Sequence, residues 1–262
     1  MTIRTGIGGW TYAPWRGVFY PPGLRHADEL TYAASKLGAI EVNGTFYRRQ
    51  TPATFASWAK AAPDGFVFAL KGSRSVTNRR VLAEAGEGVA NFVAQGIVEL
   101  GDKLGPINWQ FADTKAYDPD DFRAFLALLP REHEGVPLRH AIEPRHESFR
   151  TPAFVEQARA AGVAIVLGHA DKYPLIADPS GGFTYLRLQC GREEEETGYP
   201  DAELDLWTER ARTWAAGGSP SDLPLLADAP PSPPRNVFAF FIAGAKVRAP
   251  AAAIALAERL GS

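Results

Sequence analysis

Short apolar stretches recur along the chain, and most are followed by an amphipathic one. Eight of them have the length and residue types of strands: Ile3–Gly8, Ala39–Thr45, Phe66–Leu70, Ile107–Phe111, Leu138–Glu143, Val163–Leu167, Phe183–Gln189 and Asn236–Ile242. Helical spacing predicts helices over Asp28–Leu37, Pro52–Ala62, Glu87–Leu100, Asp120–Leu129, Pro152–Ala161, Ala202–Ala216 and Pro250–Leu260. Thr51-Pro52 and Thr151-Pro152 are helix starts, with proline in the first turn, where its missing N–H is harmless. Lys172–Gly182 contains proline and glycine but no helical period, so no proper helix is expected between the sixth and seventh strands. Ser219–Arg235 is proline-rich, yet another strand follows it, so it reads as a loop and not a domain linker.

Strands alternating with helices through short connections predict a parallel sheet with helices outside. Eight such units in 262 residues favour a closed, TIM-like (β/α)8 barrel, irregular where one helix is missing. The expectation is a single domain over residues 1–262. An open dinucleotide-binding sheet is disfavoured, because Gly6, Gly8 and Gly9 lie inside and just after the first strand with the wrong spacing. No cofactor is expected.

Polar residues break the apolar pattern at the strand ends. Glu41 and Asn43 lie two apart and so share one face of the second strand as drawn. Lys71 ends the third strand, Gln110 the fourth, Glu143 and Arg145 the fifth, and Arg187 and Gln189 the seventh. Buried polar groups are unfavourable unless paired or used. In a barrel these ends gather at the C-terminal face of the sheet, where function resides. Trp10, Tyr47 and Arg74 lie in loops at the same end. The result is a mixed-charge pocket with an aromatic edge, suited to a small anionic or polyhydroxylated ligand.

Within it, Glu41, Glu143 and Lys71 are the candidate catalytic groups. Trp10, Asn43, Tyr47, Arg74, Gln110, Arg145, Arg187 and Gln189 are candidates for substrate binding. Glu41 and Glu143 read equally as an acid/base pair or as carboxylates neutralised by Lys71, Arg145 or Arg187. Lys71 reads as a desolvated base, a Schiff-base lysine or a phosphate clamp, or else as the counter-ion of Glu41. Arg187 is the best grip for a carboxylate or phosphate, since its fork reaches two oxygens. The aromatic run Trp10–Tyr20 reads as a lid that touches ligand.

A formal net charge of −2 gives no general field for nucleic acid. The only local basic stretch is Lys71–Arg80, with Arg74, Arg79 and Arg80, so nucleic acid or a phosphorylated ligand is the second choice of partner. His169 and Asp171, joined by Glu143 and His146, would make a metal-dependent hydrolase the third choice. With five His and none in a H-x-x-x-H pair, no metal ligand is assigned. One cysteine, Cys190, excludes an intrachain disulfide and reads as a small buried residue. No apolar run approaches the ~18 residues of a membrane span, and no signal-like core opens the chain, so a cytoplasmic setting is expected.

The ordered motifs Gly8-Gly9-Trp10 with Tyr12 and Trp15, Phe19-Tyr20-Pro21, Glu41-Val42-Asn43-Gly44-Thr45-Phe46-Tyr47 and Phe66–Lys71 with Arg74 and Thr77 form a recognisable series. Gly105-Pro106 with Gln110, Glu143-Pro144-Arg145-His146-Glu147-Ser148 and Tyr185-Leu186-Arg187-Leu188 continue it. Together they resemble the YecE-like TIM-barrel proteins, the family of domain of unknown function seventy-two, over almost the whole chain. The resemblance implies a TIM-like barrel and no particular reaction. Departures fall at Asn78 and Gln189, where the family usually has His, at Phe149, where Trp is common, and at Phe241-Ile242-Ala243-Gly244, where a Phe-Asn-Asn-like run is usual.

Overall fold

The computed structural model describes residues 1–229 and 232–261; Pro230 and Pro231 of the expected loop, and Ser262 at the end of the expected domain, lie outside them. Eight parallel strands close into a barrel: β1 (Ile3–Gly8), β2 (Ala39–Val42), β3 (Val67–Lys71), β4 (Leu104–Gln110), β7 (His140–Glu143), β8 (Ala164–His169), β9 (Phe183–Leu188) and β10 (Asn236–Phe241). A short antiparallel hairpin, β5 (Glu132–His133) with β6 (Val136–Pro137), precedes β7 and was not foreseen from the sequence. The barrel closes where Ile3–Ile7 pairs with Val237–Phe241.

Side chains alternate across the barrel wall. Ile7, Ile40, Phe68, Ile107, Ile142 and Leu186 point outward into the layer packed by the helices. A second apolar cluster, including Ala69, Ala141, Val166, Tyr185, Phe238 and Phe240, fills the barrel interior. Both faces of a closed parallel sheet are covered, which is why the strands read as nearly continuous apolar runs.

The outer layer contains α1 (Glu29–Lys36), α3 (Pro52–Ala61), α5 (Gly86–Val93), α6 (Pro119–Leu128), α7 (Pro152–Ala161), α8 (Asp201–Ala215) and α9 (Ala249–Leu260); α2 (Gly44–Tyr47) and α4 (Arg74–Thr77) are single turns at strand ends. Thr51 caps α3 by accepting from the Thr54 amide, and Asp118 caps α6 by accepting from Asp120 and Asp121. Thr151 makes no such cap, although Pro152 still opens α7.

Three expectations need correction. The second strand stops at Val42, because Asn43 adopts helical dihedrals and turns the chain into α2. The Thr45 hydroxyl then donates to the carbonyls of Val42 and Lys71, tying the ends of β2 and β3 together. The single helix over Glu87–Leu100 breaks at Gly96, whose φ of 98° belongs to the left-handed region and where a Cβ would lie 2.7 Å from Pro52. A 3-10 segment, Ile97–Lys103, follows. Tyr47 and Arg74, expected in loops, lie instead in the helical turns Gly44–Tyr47 and Arg74–Thr77.

Between β8 and β9 no helix occurs among the described residues. Asp178 staples that crossing instead, its carboxylate accepting from the amides of Leu226 and Ala227 in the proline-rich loop. No described helix is long and apolar enough to cross a membrane.

Candidate functional site

Period-two alternation sends Glu41, Lys71, Asn108, Gln110, Glu143, Tyr185 and Arg187 to the same side of the wall as the interior apolar cluster. All seven are buried. Arg187 sits between the two carboxylates. Its Nε and Nη2 donate to Glu41 at 3.1 and 3.0 Å, and its Nη1 donates to both oxygens of Glu143 at 2.7 and 2.8 Å. Tyr185 donates its hydroxyl to Glu41 at 2.6 Å. Asn108 Nδ2 reaches Glu143 at 3.1 Å and Glu41 at 3.4 Å. Gln110 and Arg145 complete the shell of Glu143, at 2.9 and 3.0 Å.

Burial opposes ionisation of Glu143, but Arg187 and Arg145 outweigh it and hold the carboxyl at about 2. Burial likewise works against Arg187, and Glu143 and Glu41 overcome it, raising the guanidinium above its ordinary value.

Above this network opens a cavity of about 580 Å³, lined by Asn43, Tyr47, Lys71, Gln110, Arg145 and Arg187 together with Gln189, Lys172 and Lys246. Five cationic side chains face it against one carboxylate, Asp113. Lys71 is buried, at 7% exposed; its Nζ lies 4.1 Å from the Phe46 ring centroid and makes no hydrogen bond or ion pair among the described residues. Burial and the neighbouring Arg187 lower its pKa to about 8, against the pull of Glu41 and Glu143. Lys246 is also held by rings, 4.6 Å from Tyr12 and 5.6 Å from Trp15, and its carbonyl accepts from the Trp15 indole. The turn that delivers it carries two non-glycine residues in the left-handed region, Ala243 and Ala245.

The structure thus brings together nine of the eleven residues singled out from the sequence: Glu41, Asn43, Tyr47, Lys71, Gln110, Glu143, Arg145, Arg187 and Gln189. Two fall elsewhere. Trp10 lines an adjoining cleft of about 300 Å³ with Tyr12 and Trp58, because its ring packs edge-on against Trp58. Arg74 is exposed on α4 and reaches the cavity rim only through the Tyr47 ring, 5.8 Å away. Asn108 and Tyr185, in the network, and Lys246, in the cavity lining, are not among those eleven. The first two lie two residues before Gln110 and Arg187, so the alternation that placed their neighbours also places them.

The acid/base pairing of Glu41 and Glu143 is not what the geometry favours. Neither carboxylate lines the cavity, they are 0% and 2% exposed, and each is already hydrogen-bonded at both oxygens. A proton-transfer group needs an open path to its substrate. His146 stays in its own loop, bonded to Ser148, and His169 packs against Trp207. Among the described residues no group of three or more His, Cys, Asp or Glu is placed to hold a metal ion. The Cys190 thiol is pushed up by burial and Asp171, so it is no ready nucleophile.

The sequence profile of the family described as "Protein of unknown function DUF72" matches residues 4–262. The chain belongs to the DUF72 family. A DUF72 family protein from Thermotoga maritima has a similar crystal structure, with a TM-score of 0.78, 20% identity and full coverage of both chains. One from Enterococcus faecalis has a TM-score of 0.74 and 16% identity, over 100% of this chain and 96% of its own. At these identities the likeness establishes the fold. None of the curated proteins compared with this DUF72 chain matches it. No function is established for DUF72 proteins by that description.

Proposed function

We propose that the protein is an enzyme acting on a small anionic, hydroxyl-bearing substrate, with Lys71 as the proton-transfer group. The observation that carries this reading is the Lys71 ammonium, buried at the cavity wall without a hydrogen-bonding or ionic partner among the described residues. Its pKa of about 8 leaves both protonation states populated near neutral pH, as acid/base work requires. Arg145, Arg187, Lys172 and Lys246 supply the anion-binding field, and Asn43, Gln110 and Gln189 supply hydrogen bonds to hydroxyls. Glu41 and Glu143 act here as anchors: they engage all three Arg187 nitrogens, so Arg187 adds charge at the cavity floor, and the lysines are left to grip the ligand. A cytoplasmic setting fits the free Cys190.

Inorganic pyrophosphate is a suitable first probe, by isothermal titration. Lys71→Gln should weaken its binding by at least about tenfold, the scale of one lost charge-assisted contact. Wild-type affinity should fall as pH rises through about 8. Failure of both pyrophosphate and citrate to bind at neutral pH would overturn the anion-binding part. Once turnover is found among small phosphate esters or hydroxy acids, the rate profile should carry a limb near pH 8 that Lys71→Gln abolishes.

Binding of nucleic acid without turnover is the second reading. It draws on Arg74, Arg79 and Arg80, which are exposed beside the mouth. Affinity that falls steeply with salt and with Arg79→Ala, but is indifferent to Lys71→Gln, would favour it.

A further inference from the structure

The barrel end opposite the cationic cup holds a second cavity, of about 880 Å³. It opens where β7, β8 and β9 begin, beside α6 and α7. One part of its lining is apolar: Leu126, Leu129, Leu138, Val163 and Phe183. The other part is cationic, with Arg123, Arg131, Arg139 and Arg159, and no Asp or Glu lines it among the described residues.

The four arginines are not equivalent. Arg123 is exposed and paired with Asp120 at 2.7 Å. Arg159 is engaged by the carbonyls of Pro179 and Asp228 and lies 3.8 Å from Asp178. Arg131 is exposed. Arg139 is half-buried, its guanidinium 5.5 Å from the Phe238 ring centroid in the barrel interior. It donates from Nη2 to the Leu104 carbonyl at 2.7 Å and makes no ion pair among the described residues. A guanidinium has five N–H donors, so most of its capacity has no acceptor of opposite charge. Burial, and then the charge of Arg4, push Arg139 below the ordinary arginine value. Arg4 in turn donates to the Gly65 carbonyl and makes no ion pair among the described residues either.

A partly desolvated cation beside a second cation is unfavourable unless an anion joins it. The apolar wall next to Arg139 sets the character of that anion, because a strongly hydrated ion such as phosphate gains nothing from leucine and phenylalanine. We propose that this cavity binds an amphiphilic monoanion, a carboxylate on an alkyl body, with its head on Arg139 and its body along Leu126, Leu138 and Phe183. The site is separate from the cup: it lies at the N-terminal ends of the strands and shares no lining residue with it.

Decanoate, kept below the concentration at which it forms micelles, is the probe, and isothermal titration with the whole chain is the assay. One saturable site is expected. Arg139→Gln should weaken binding by at least about tenfold, the scale of a lost charge-assisted pair. Ala127→Trp fills the cavity from an exposed position on α6 and should weaken it similarly, which keeps the test decisive if Arg139→Gln folds poorly. Decanol, with the same body and no charge, should bind at least about tenfold more weakly than decanoate. Lys71→Gln, in the opposite cup, should leave decanoate affinity unchanged. No saturable decanoate binding, binding that survives both cavity variants, equal affinity for decanol, or loss of binding in Lys71→Gln would each overturn the proposal.

Discussion

Replacing Arg187 by methionine removes the one cation that bridges two buried carboxylates. The side chain makes four donor contacts, two to Glu41 and two to Glu143, at 2.7 to 3.1 Å. The two acids are left in unequal positions. Glu143 keeps Arg145, Gln110 and Asn108. Glu41 keeps only the Tyr185 hydroxyl and a long contact from Asn108, neither of them charged. Breaking a buried pair from one side costs about 3–5 kcal/mol, because an uncompensated charge stays behind. For a chain of this size that corresponds to a fall in Tm of roughly 10 °C. Urea unfolding followed by circular dichroism, compared at equal m, measures the loss.

The asymmetry adds a sharper test. Glu41→Gln placed on Arg187→Met should restore about 1–3 kcal/mol, whereas Glu143→Gln on the same background should restore less. A loss below about 1 kcal/mol for Arg187→Met, or Glu143→Gln as the better rescuer, would refute the view that Glu41 depends on Arg187 for its counter-charge.

Glu143 has a folded pKa lowered from 4.5 to about 2, so the stability it contributes is present above pH 4.5 and is lost as pH falls towards 2; Glu143→Gln should flatten the acid limb of a stability–pH curve in that window, and an unchanged slope would count against the pairing. Ala245, with φ 43° beside the cup, should gain about 1 kcal/mol on mutation to glycine, read from the urea midpoint, because glycine tolerates the left-handed region that alanine resists; a lower midpoint would show that the turn is not strained.

Local periodicity determined much of this protein before any coordinate. The eight apolar runs, the missing helix after the sixth and the polar residues at the strand ends all follow from patterns within a few residues. The same period of two places Asn108 with Gln110 and Tyr185 with Arg187, so the interior network was legible even where its members were overlooked. The early end of β2 at Val42 was legible too and was overlooked: Asn43-Gly44 is a turn dipeptide set inside the run.

Pairing was decided only by closure of the barrel. Arg187 meets Glu41 across 146 positions and Glu143 across 44, distances over which sequence spacing carries no register. A list of acids and bases therefore could not say that the two glutamates would direct their oxygens to one guanidinium while Lys71 found no ionic or hydrogen-bonding partner among the described residues. The cavity around Arg139 was hidden for the same reason, since its walls come from helices and strand starts that become neighbours only when the sheet joins its own edge.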